Sequence, residues 1–217
     1  MDGEENKSNQ VKVILLGDCS VGKTSIIARY LKDIFNEEQM STIGANYAMK
    51  DITIDGKKYT INLWDTAGQE RYKSVTKLFL QDTQILLLCY AIDDRQSFNN
   101  LEYWYKFATN TIGKKIVLGV AGNKSDLYEN EKVKDSEGEK FASEHNGIFG
   151  LVSAKENKEG IDKLFESLFK KHIDKENGNN IDKDEDESTN NERKTITIKD
   201  NKNIDIAKEG KKKKCCS

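Results

Sequence analysis

The segment 17–24 reads G-D-C-S-V-G-K-T and fits the phosphate-binding pattern G-x-x-x-x-G-K-[ST]. Residues 11–16 before it form an apolar, β-branched run that predicts a strand, and residues 23–32 after it have helical periodicity. A chain that turns on glycine between a strand and a helix points several backbone N–H groups at one small volume. The helix dipole adds positive potential there. The segment therefore predicts an anion site at the centre of an α/β fold.

Within this segment, Lys23 is expected to reach the outer phosphates of a nucleotide, and the hydroxyl of Thr24 to take one position on Mg²⁺. A glycine-rich turn without function is the alternative, and the strand–loop–helix context disfavours it. The candidate nucleotide-binding residues here are Asp18, Cys19, Ser20, Val21, Gly22, Lys23, Thr24 and Ser25.

The alternation of apolar and amphipathic runs predicts a six-stranded, mostly parallel sheet with helices on both faces and ligands at the carboxyl ends of the strands. Ser97 is predicted to cap the third helix. The predicted strands are 11–16, 47–55, 58–65, 85–90, 115–122 and 148–152, and the predicted helices are 23–32, 74–80, 98–110, 135–145 and 160–172. Three regions follow, namely a flexible N-terminus (1–10), one folded domain (11–173) and a tail (174–217) that is too polar to order.

Composition narrows the class of protein. The length of 217 residues is sufficient for one α/β domain, and the net charge of −2 indicates no general affinity for nucleic acid. No apolar run has the length of a membrane span, and the polar N-terminus does not resemble a signal peptide, so we expect the chain in the cytosol. The cysteines, at Cys19, Cys89, Cys215 and Cys216, match neither a disulfide framework nor a zinc site.

A second motif, W-D-T-A-G-Q-E at 64–70, ends the predicted third strand. Asp65 could hold a phosphate-bound magnesium ion, usually through water. Gly68 could bring a backbone N–H to the terminal phosphate, and Gln69 could orient an attacking water. Taken alone, Asp65 would more often be a turn or cap residue, but the preceding phosphate loop favours the metal role.

A third motif, N-K-S-D at 123–126, follows the predicted strand 115–122 and is expected to select the base of the nucleotide. Guanine presents two donors that the carboxylate of Asp126 can accept, whereas adenine would leave that carboxylate unpaired. Asn123 would tie the loops together, and the stem of Lys124 could lie over the base. In the loop Ser153-Ala154-Lys155, backbone N–H groups could meet the guanine oxygen. A phosphate-loop ATPase or kinase is the alternative, and Asp126 argues against it.

These motifs, with S-T-I-G at 41–44, resemble those of the Ras-superfamily GTPases over about residues 12–171. I-N-L-W-D-T-A-G-Q-E-R-Y, the stretch 93–104 and the terminal cysteine pair are similar to the Rab branch. S-T-I-G-A-N-Y, G-Q-E-R-Y and V-A-G-N-K-S-D-L are similar to the early-endosome Rabs. Cys19 and Ser20 depart from the glycines common in the superfamily, which leaves the intrinsic rate of hydrolysis open.

The resemblance implies a switch that binds GTP or GDP with Mg²⁺ and hydrolyses GTP slowly, with Gln69 and Lys23 as catalytic residues. Thr42 would join Thr24 and Asp65 at the metal, and Phe35 would stack on the guanine edge. Segments 36–47 and 68–79 would be the two switch segments. The implied partners are an exchange factor, a GTPase-activating protein, a prenyl-binding escort or GDP-dissociation inhibitor, and effectors. The alternative is a GTP-binding membrane scaffold with negligible hydrolysis.

The chain ends in four lysines at 211–214 followed by Cys215-Cys216-Ser217. This ending does not match C-a-a-X, because Lys214 stands four residues from the end. A terminal cysteine pair resembles the Rab substrate for two geranylgeranyl groups, and two lipids give stable anchoring where one does not. The resemblance therefore implies attachment to the cytoplasmic face of an intracellular membrane, of endosomes if the likeness to early-endosome Rabs holds. The acidic cluster 182–187 disfavours a nucleic-acid role for the lysines.

Overall fold

The structure is a computed structural model that describes residues 9–38, 40, 42, 45–54, 56–68, 73–113, 115–178 and the backbone of 197–198. Strands and helices alternate along most of the chain, as the sequence predicts. The strands are β1 (Gln10–Leu16), β2 (Ala45–Ile54), β3 (Lys57–Thr66), β4 (Ile85–Ala91), β5 (Val117–Asn123), β6 (Ile148–Leu151) and β7 (Thr197–Ile198). The helices are α1 (Lys23–Lys32), α2 (Lys73–Leu80), α3 (Arg95–Asn99), α4 (Leu101–Ile112), α5 (Asp135–Glu144) and α6 (Lys158–Glu176), with a 3₁₀ helix at Ser125–Asn130.

The strands form one sheet in the order β2-β3-β1-β4-β5-β6-β7. β2 and β3 are antiparallel, and the other described pairs are parallel. The six predicted strands and the mostly parallel sheet are therefore confirmed. β7 is an addition, since Thr197 pairs with Phe149 inside the predicted tail. The alternating T-I-T-I at 195–198 is the sequence signal for it, because β-branched residues favour strands.

Helices cover both faces of the sheet, and successive side chains along a strand point alternately into two apolar cores. Along β4, Leu87 and Cys89 face the core under α1 and α6, whereas Leu88 and Tyr90 face the core under α4 and α5. All residues of β4 are buried, which explains why its sequence is an unbroken apolar run. Because the central strands are fixed from both sides, the loops at their carboxyl ends start from rigid positions.

The prediction that Ser97 caps one long helix is wrong. Asp94 is the cap, since its carboxylate accepts hydrogen bonds from the N–H groups of Gln96 and Ser97. Ser97 is fully buried, its hydroxyl donates to the Asp94 carbonyl at 2.7 Å, and it accepts from the N–H of Ala91 at 3.1 Å. The helix is also broken at Asn100 into α3 and α4.

α6 is longer than predicted, starting at an Asn157 cap and ending at Glu176 instead of residue 172. α6 therefore continues past residue 173, the predicted end of the folded domain. No helix among the described residues is both long and apolar enough to cross a bilayer.

Candidate functional site

A cavity of about 450 Å³ lies where the loops after β1, β3, β5 and β6 meet the first turn of α1. Motifs that are far apart in the sequence come together here because the strands that precede them are neighbours in the sheet. The cavity also takes in part of the loop after α1. The sequence-predicted site residues that line it are Cys19, Ser20, Gly22, Lys23, Thr24, Ser25, Phe35, Thr42, Gly68, Asn123, Lys124, Asp126, Ala154 and Lys155.

At one end of the cavity, the loop 17–22 wraps around the ammonium group of Lys23. This group donates to the carbonyls of Gly17 at 2.8 Å and Asp18 at 2.7 Å, and the residue is 5% exposed. Burial lowers the pKa of Lys23, and nearby acidic groups oppose that shift. Burial deprives this ammonium group of water, and an anion in the cavity would stabilise its charged form.

Glycine is required where this loop turns. Gly17 and Gly22 have φ values of 149° and 94°, which disfavour other residues. A Cβ on Gly17 would lie 2.1 Å from the carbonyl oxygen of Cys89, so the loop leaves β1 pressed against β4. A Cβ on Gly68 would lie 2.3 Å from the carbonyl carbon of Asp18, which places this glycine of the second motif (64–70) against the phosphate loop.

Three oxygen-bearing side chains meet beside Lys23. The Thr24 hydroxyl donates to Asp65 Oδ2 at 2.7 Å, the Thr42 hydroxyl lies 3.1 Å from the same oxygen, and the two hydroxyls are 2.8 Å apart. Asp65 does not itself line the cavity but is reached through these hydroxyls, and it is 3% exposed. The structure therefore brings together the three residues that sequence assigned to a metal.

The chemistry of these residues fits Mg²⁺. Hydroxyl and carboxylate oxygens are the hard ligands that this ion takes, and Mg²⁺ commonly binds one or two carboxylates and completes its shell with phosphates and water. Among the described residues, Asp65 Oδ1 is buried without a hydrogen-bond partner. Burial also raises the pKa of Asp65, against the hydrogen bond from Thr24. No group of three or more His, Cys, Asp or Glu side chains suited to a metal occurs in the described part of the chain.

At the other end of the cavity, Asn123 joins two loops. Its amide donates to the carbonyl of Val21 at 2.8 Å and accepts from the N–H of Ala154 at 3.1 Å. The Ser153 hydroxyl donates to Asp126 Oδ1 and so fixes the orientation of that carboxylate. Asp126 therefore presents a held acceptor to the cavity.

Besides Asp65, three predicted residues do not line the cavity. The carboxylate of Asp18 accepts from Asn100 Nδ2 at 2.6 Å and from Trp104 Nε1 at 2.7 Å, so it contacts the start of α4. Val21 and Ser153 are buried and support Asn123 and Asp126.

Sequence reasoning missed two residues near the base end. Glu37 lines the cavity, and its carboxylate lies 2.6 Å from the ammonium of Lys155. Arg29, on α1, donates to the carbonyls of Ala154 and Lys155. A polar residue on an amphipathic helix carries no sequence signal for such contacts. Gln69, Cys215 and Cys216 lie outside the described residues, so their predicted roles remain predictions.

Comparison with known proteins shows which family has a similar sequence. The sequence model of the Ras family matches residues 12–174. Ras-related protein Rab-18 of Lymnaea stagnalis is 37% identical over 171 residues, which are 78% of this chain and 84% of that protein. Human Rab-21 is 37% identical over 163 residues (75% and 72%), and Rab-11B of Dictyostelium discoideum is 39% identical over 158 residues (73% and 71%).

The family match covers the folded domain with all the motifs that line the cavity. The relatives extend over more than two thirds of both chains, and each carries a Rab name. The chain therefore belongs to the Ras family, and it is a small GTPase of the Rab type.

Proposed function

We propose that this Rab GTPase is a membrane-bound switch in vesicular trafficking that binds GTP or GDP with Mg²⁺ in the described cavity and recruits effectors in its GTP state. The observation that carries the proposal is the placement of two chemistries in one cavity. Lys23 and Thr24 stand at one end and Asp126 at the other, with room of about 450 Å³ between them. A phosphorylated guanine nucleoside has an anion at one end and two base donors at the other, so it fits both.

In this proposal, Lys23 and the N–H groups of the loop 17–22 stabilise the negative charge on the phosphates as it shifts during hydrolysis. Gln69 orients the attacking water. Mg²⁺, when bound beside Thr24, Thr42 and Asp65, neutralises charge on the outer phosphates. Hydrogen bonds from the Thr24 and Thr42 hydroxyls to Asp65 Oδ2 hold these three candidate metal ligands together. We expect a GTPase-activating protein to supply an arginine, because the described residues that line the cavity include none.

Replacement of Gln69, the proposed water-positioning residue, distinguishes an enzyme that hydrolyses GTP from a scaffold that only binds it. We expect Gln69→Leu to lower the single-turnover rate of GTP hydrolysis by at least about tenfold, because the attacking water loses its orientation. GDP affinity should stay unchanged. The measurement is phosphate release from preloaded protein at saturating Mg²⁺.

Gln84→Leu is a matched control, since Gln84 Oε1 accepts from the N–H of Lys12 at 2.7 Å at the opposite end of β1. Near-zero rates that are equal in the wild type and Gln69→Leu would favour the scaffold and contradict the catalytic proposal.

Effectors would read the switch segments, and an aromatic row lies between them. We define this row as Tyr47, Trp64 and Phe79, with ring centroids 5.1 Å apart from the first to the second and 4.8 Å from the second to the third. Tyr47 ends the first switch segment, is 49% exposed, and donates to Asn62 Oδ1 at 2.6 Å. Phe79 ends the second switch segment, so movement of either switch segment would change the surface that the aromatic row forms. Exposed aromatic side chains are favoured anchors in protein interfaces, which supports effector binding here.

For the tail, we propose geranylgeranylation of Cys215 and Cys216 and attachment to an endocytic membrane, on the sequence resemblance. The double change Cys215→Ser with Cys216→Ser should move the protein from the membrane to the soluble fraction, because both lipid anchors are lost. Fractionation of cells that express the tagged protein measures this, with Cys89→Ser as a control for loss of a buried thiol.

Colocalisation with a briefly internalised tracer tests the compartment. Membrane retention of the double variant would show that lipids on these cysteines are not needed, and label on secretory membranes alone would exclude the endocytic assignment.

A further inference from the structure

Arg29 connects two loops that border the base end of the cavity. Its side chain is 15% exposed and lies on α1, outside the residues that line the cavity. Nε donates to the Ala154 carbonyl at 2.8 Å, and Nη2 donates to the Lys155 carbonyl at 2.7 Å. One edge of the planar guanidinium thus binds two successive carbonyls, an arrangement that a lysine ammonium does not reproduce.

The remaining nitrogen of Arg29 binds the start of the other loop. Nη1 donates to Asp33 Oδ1 at 2.8 Å and to the Asp33 carbonyl at 3.2 Å. Asp33 ends α1 with a φ of 55°, and Phe35 in the cavity follows two residues later. The same cation therefore holds the loop after β6 and the first residues of the loop after α1.

The orientation of the Ala154–Lys155 peptide follows from these bonds. The chain has no cis peptide among its described residues, and in a trans peptide the C=O and the next N–H point in opposite directions. Since the Ala154 carbonyl faces Arg29, the N–H of Lys155 faces away from α1. Ala154 is held on its other side by Asn123, through its own N–H at 3.1 Å.

We propose that Arg29 is a positioning residue for guanine recognition: by fixing the carbonyls of Ala154 and Lys155, it aims the N–H of Lys155 at the 6-oxo group of the base. Arg29 touches neither base nor phosphate and acts only through the loop. The salt bridge between Lys155 and Glu37 is a second, more exposed connection between the same two loops. This inference rests on the proposed guanine-nucleotide site.

The test compares GDP with 6-thio-GDP, in which a larger and weaker acceptor replaces the 6-oxygen while the N1–H and 2-amino donors remain. Affinities come from competition with a fluorescent mant-GDP, whose release rate is measured in parallel. The variants are Arg29→Met, which keeps the length without the donors, and Arg29→Lys, which keeps the charge without the planar fork. Arg95→Met is the matched control, because Arg95 donates to the Lys132 carbonyl and pairs with Glu137, none of which lines the cavity.

The wild type should prefer GDP over 6-thio-GDP, and Arg29→Met should lose most of that preference and release mant-GDP about tenfold faster. Arg29→Lys should restore less than half of the preference, and Arg95→Met should keep all of it. Faster release of mant-GDP from Arg29→Met with an unchanged preference for GDP would indicate a general loosening of the site and would overturn the proposal. Release rates and preference in Arg29→Met that equal those of the wild type would also overturn it, as would a wild type that does not prefer GDP over 6-thio-GDP. If Arg29→Met does not fold, the preference of Arg29→Lys decides in the same way. Failure of the wild type to bind mant-GDP at all would instead refute the proposed function.

Discussion

Asp126→Asn should transfer base preference from guanine to xanthine. The carboxylate can accept from both N1–H and the 2-amino group of guanine, whereas an asparagine can accept from only one of them and directs its own NH₂ at the other. Xanthine has a 2-oxo group, which accepts from that NH₂. Loss of one or two charge-assisted hydrogen bonds corresponds to a fall in GDP affinity of about a hundredfold to ten-thousandfold.

The measurement for Asp126→Asn is competition of GDP and XDP for the same fluorescent nucleotide. Ser153 remains able to hydrogen-bond the new side chain, so the loop should keep its place. Asp162→Asn is a control for the loss of one carboxylate, since Asp162 pairs with Lys158 on α6. Unchanged selectivity for GDP in a folded Asp126→Asn variant would remove the base assignment, and equal competition by ATP in the wild type would do the same.

Lys23→Met should lower the affinity for both GDP and GTP by at least about a hundredfold, because the phosphates lose a buried cation whose charged hydrogen bonds are each strong. The change also leaves the carbonyls of Gly17 and Asp18 without their donor. Titration with mant-GDP measures the loss, and circular dichroism checks the fold.

Lys12→Met is the matched control for Lys23→Met. Lys12 also donates to a backbone carbonyl, that of Gln81, but it does so near the start of β1 and outside the cavity. Its GDP affinity should equal that of the wild type. Affinity within threefold of the wild type in a folded Lys23→Met protein would contradict the role of this lysine in phosphate binding.

The fold and most of the site were predictable from the sequence because the relevant signals are local. Apolar runs mark the buried strands β1 and β5, which Lys23 and Asp126 follow closely, and Asp65 lies at the carboxyl end of β3, whose apolar residues alternate with polar ones. In a parallel sheet the carboxyl ends of the strands meet at one edge, so local motifs become neighbours without further information.

What the sequence did not predict depends on long-range contacts or on competition between neighbouring residues. Arg29 binds a carbonyl 125 residues away, and a backbone carbonyl has no residue-type signature. Asp18 was assigned to the nucleotide because of its place in the motif, but the donors of Asn100 and Trp104 face its carboxylate. Ser97 was a reasonable cap by type, yet Asp94 stands three residues earlier and accepts more strongly.

The bond between Trp104 and Asp18 gives this protein an optical property. Its two tryptophans occupy different places, Trp104 with its indole N–H on the phosphate loop and Trp64 in the middle of the aromatic row. Indole emission depends on the polarity and hydrogen bonding around the ring. The unlabelled protein therefore contains one fluorophore hydrogen-bonded to the loop 17–22 and another at the surface where we propose that effectors bind. Two single-tryptophan variants would allow the order of events at these two places to be timed in one molecule.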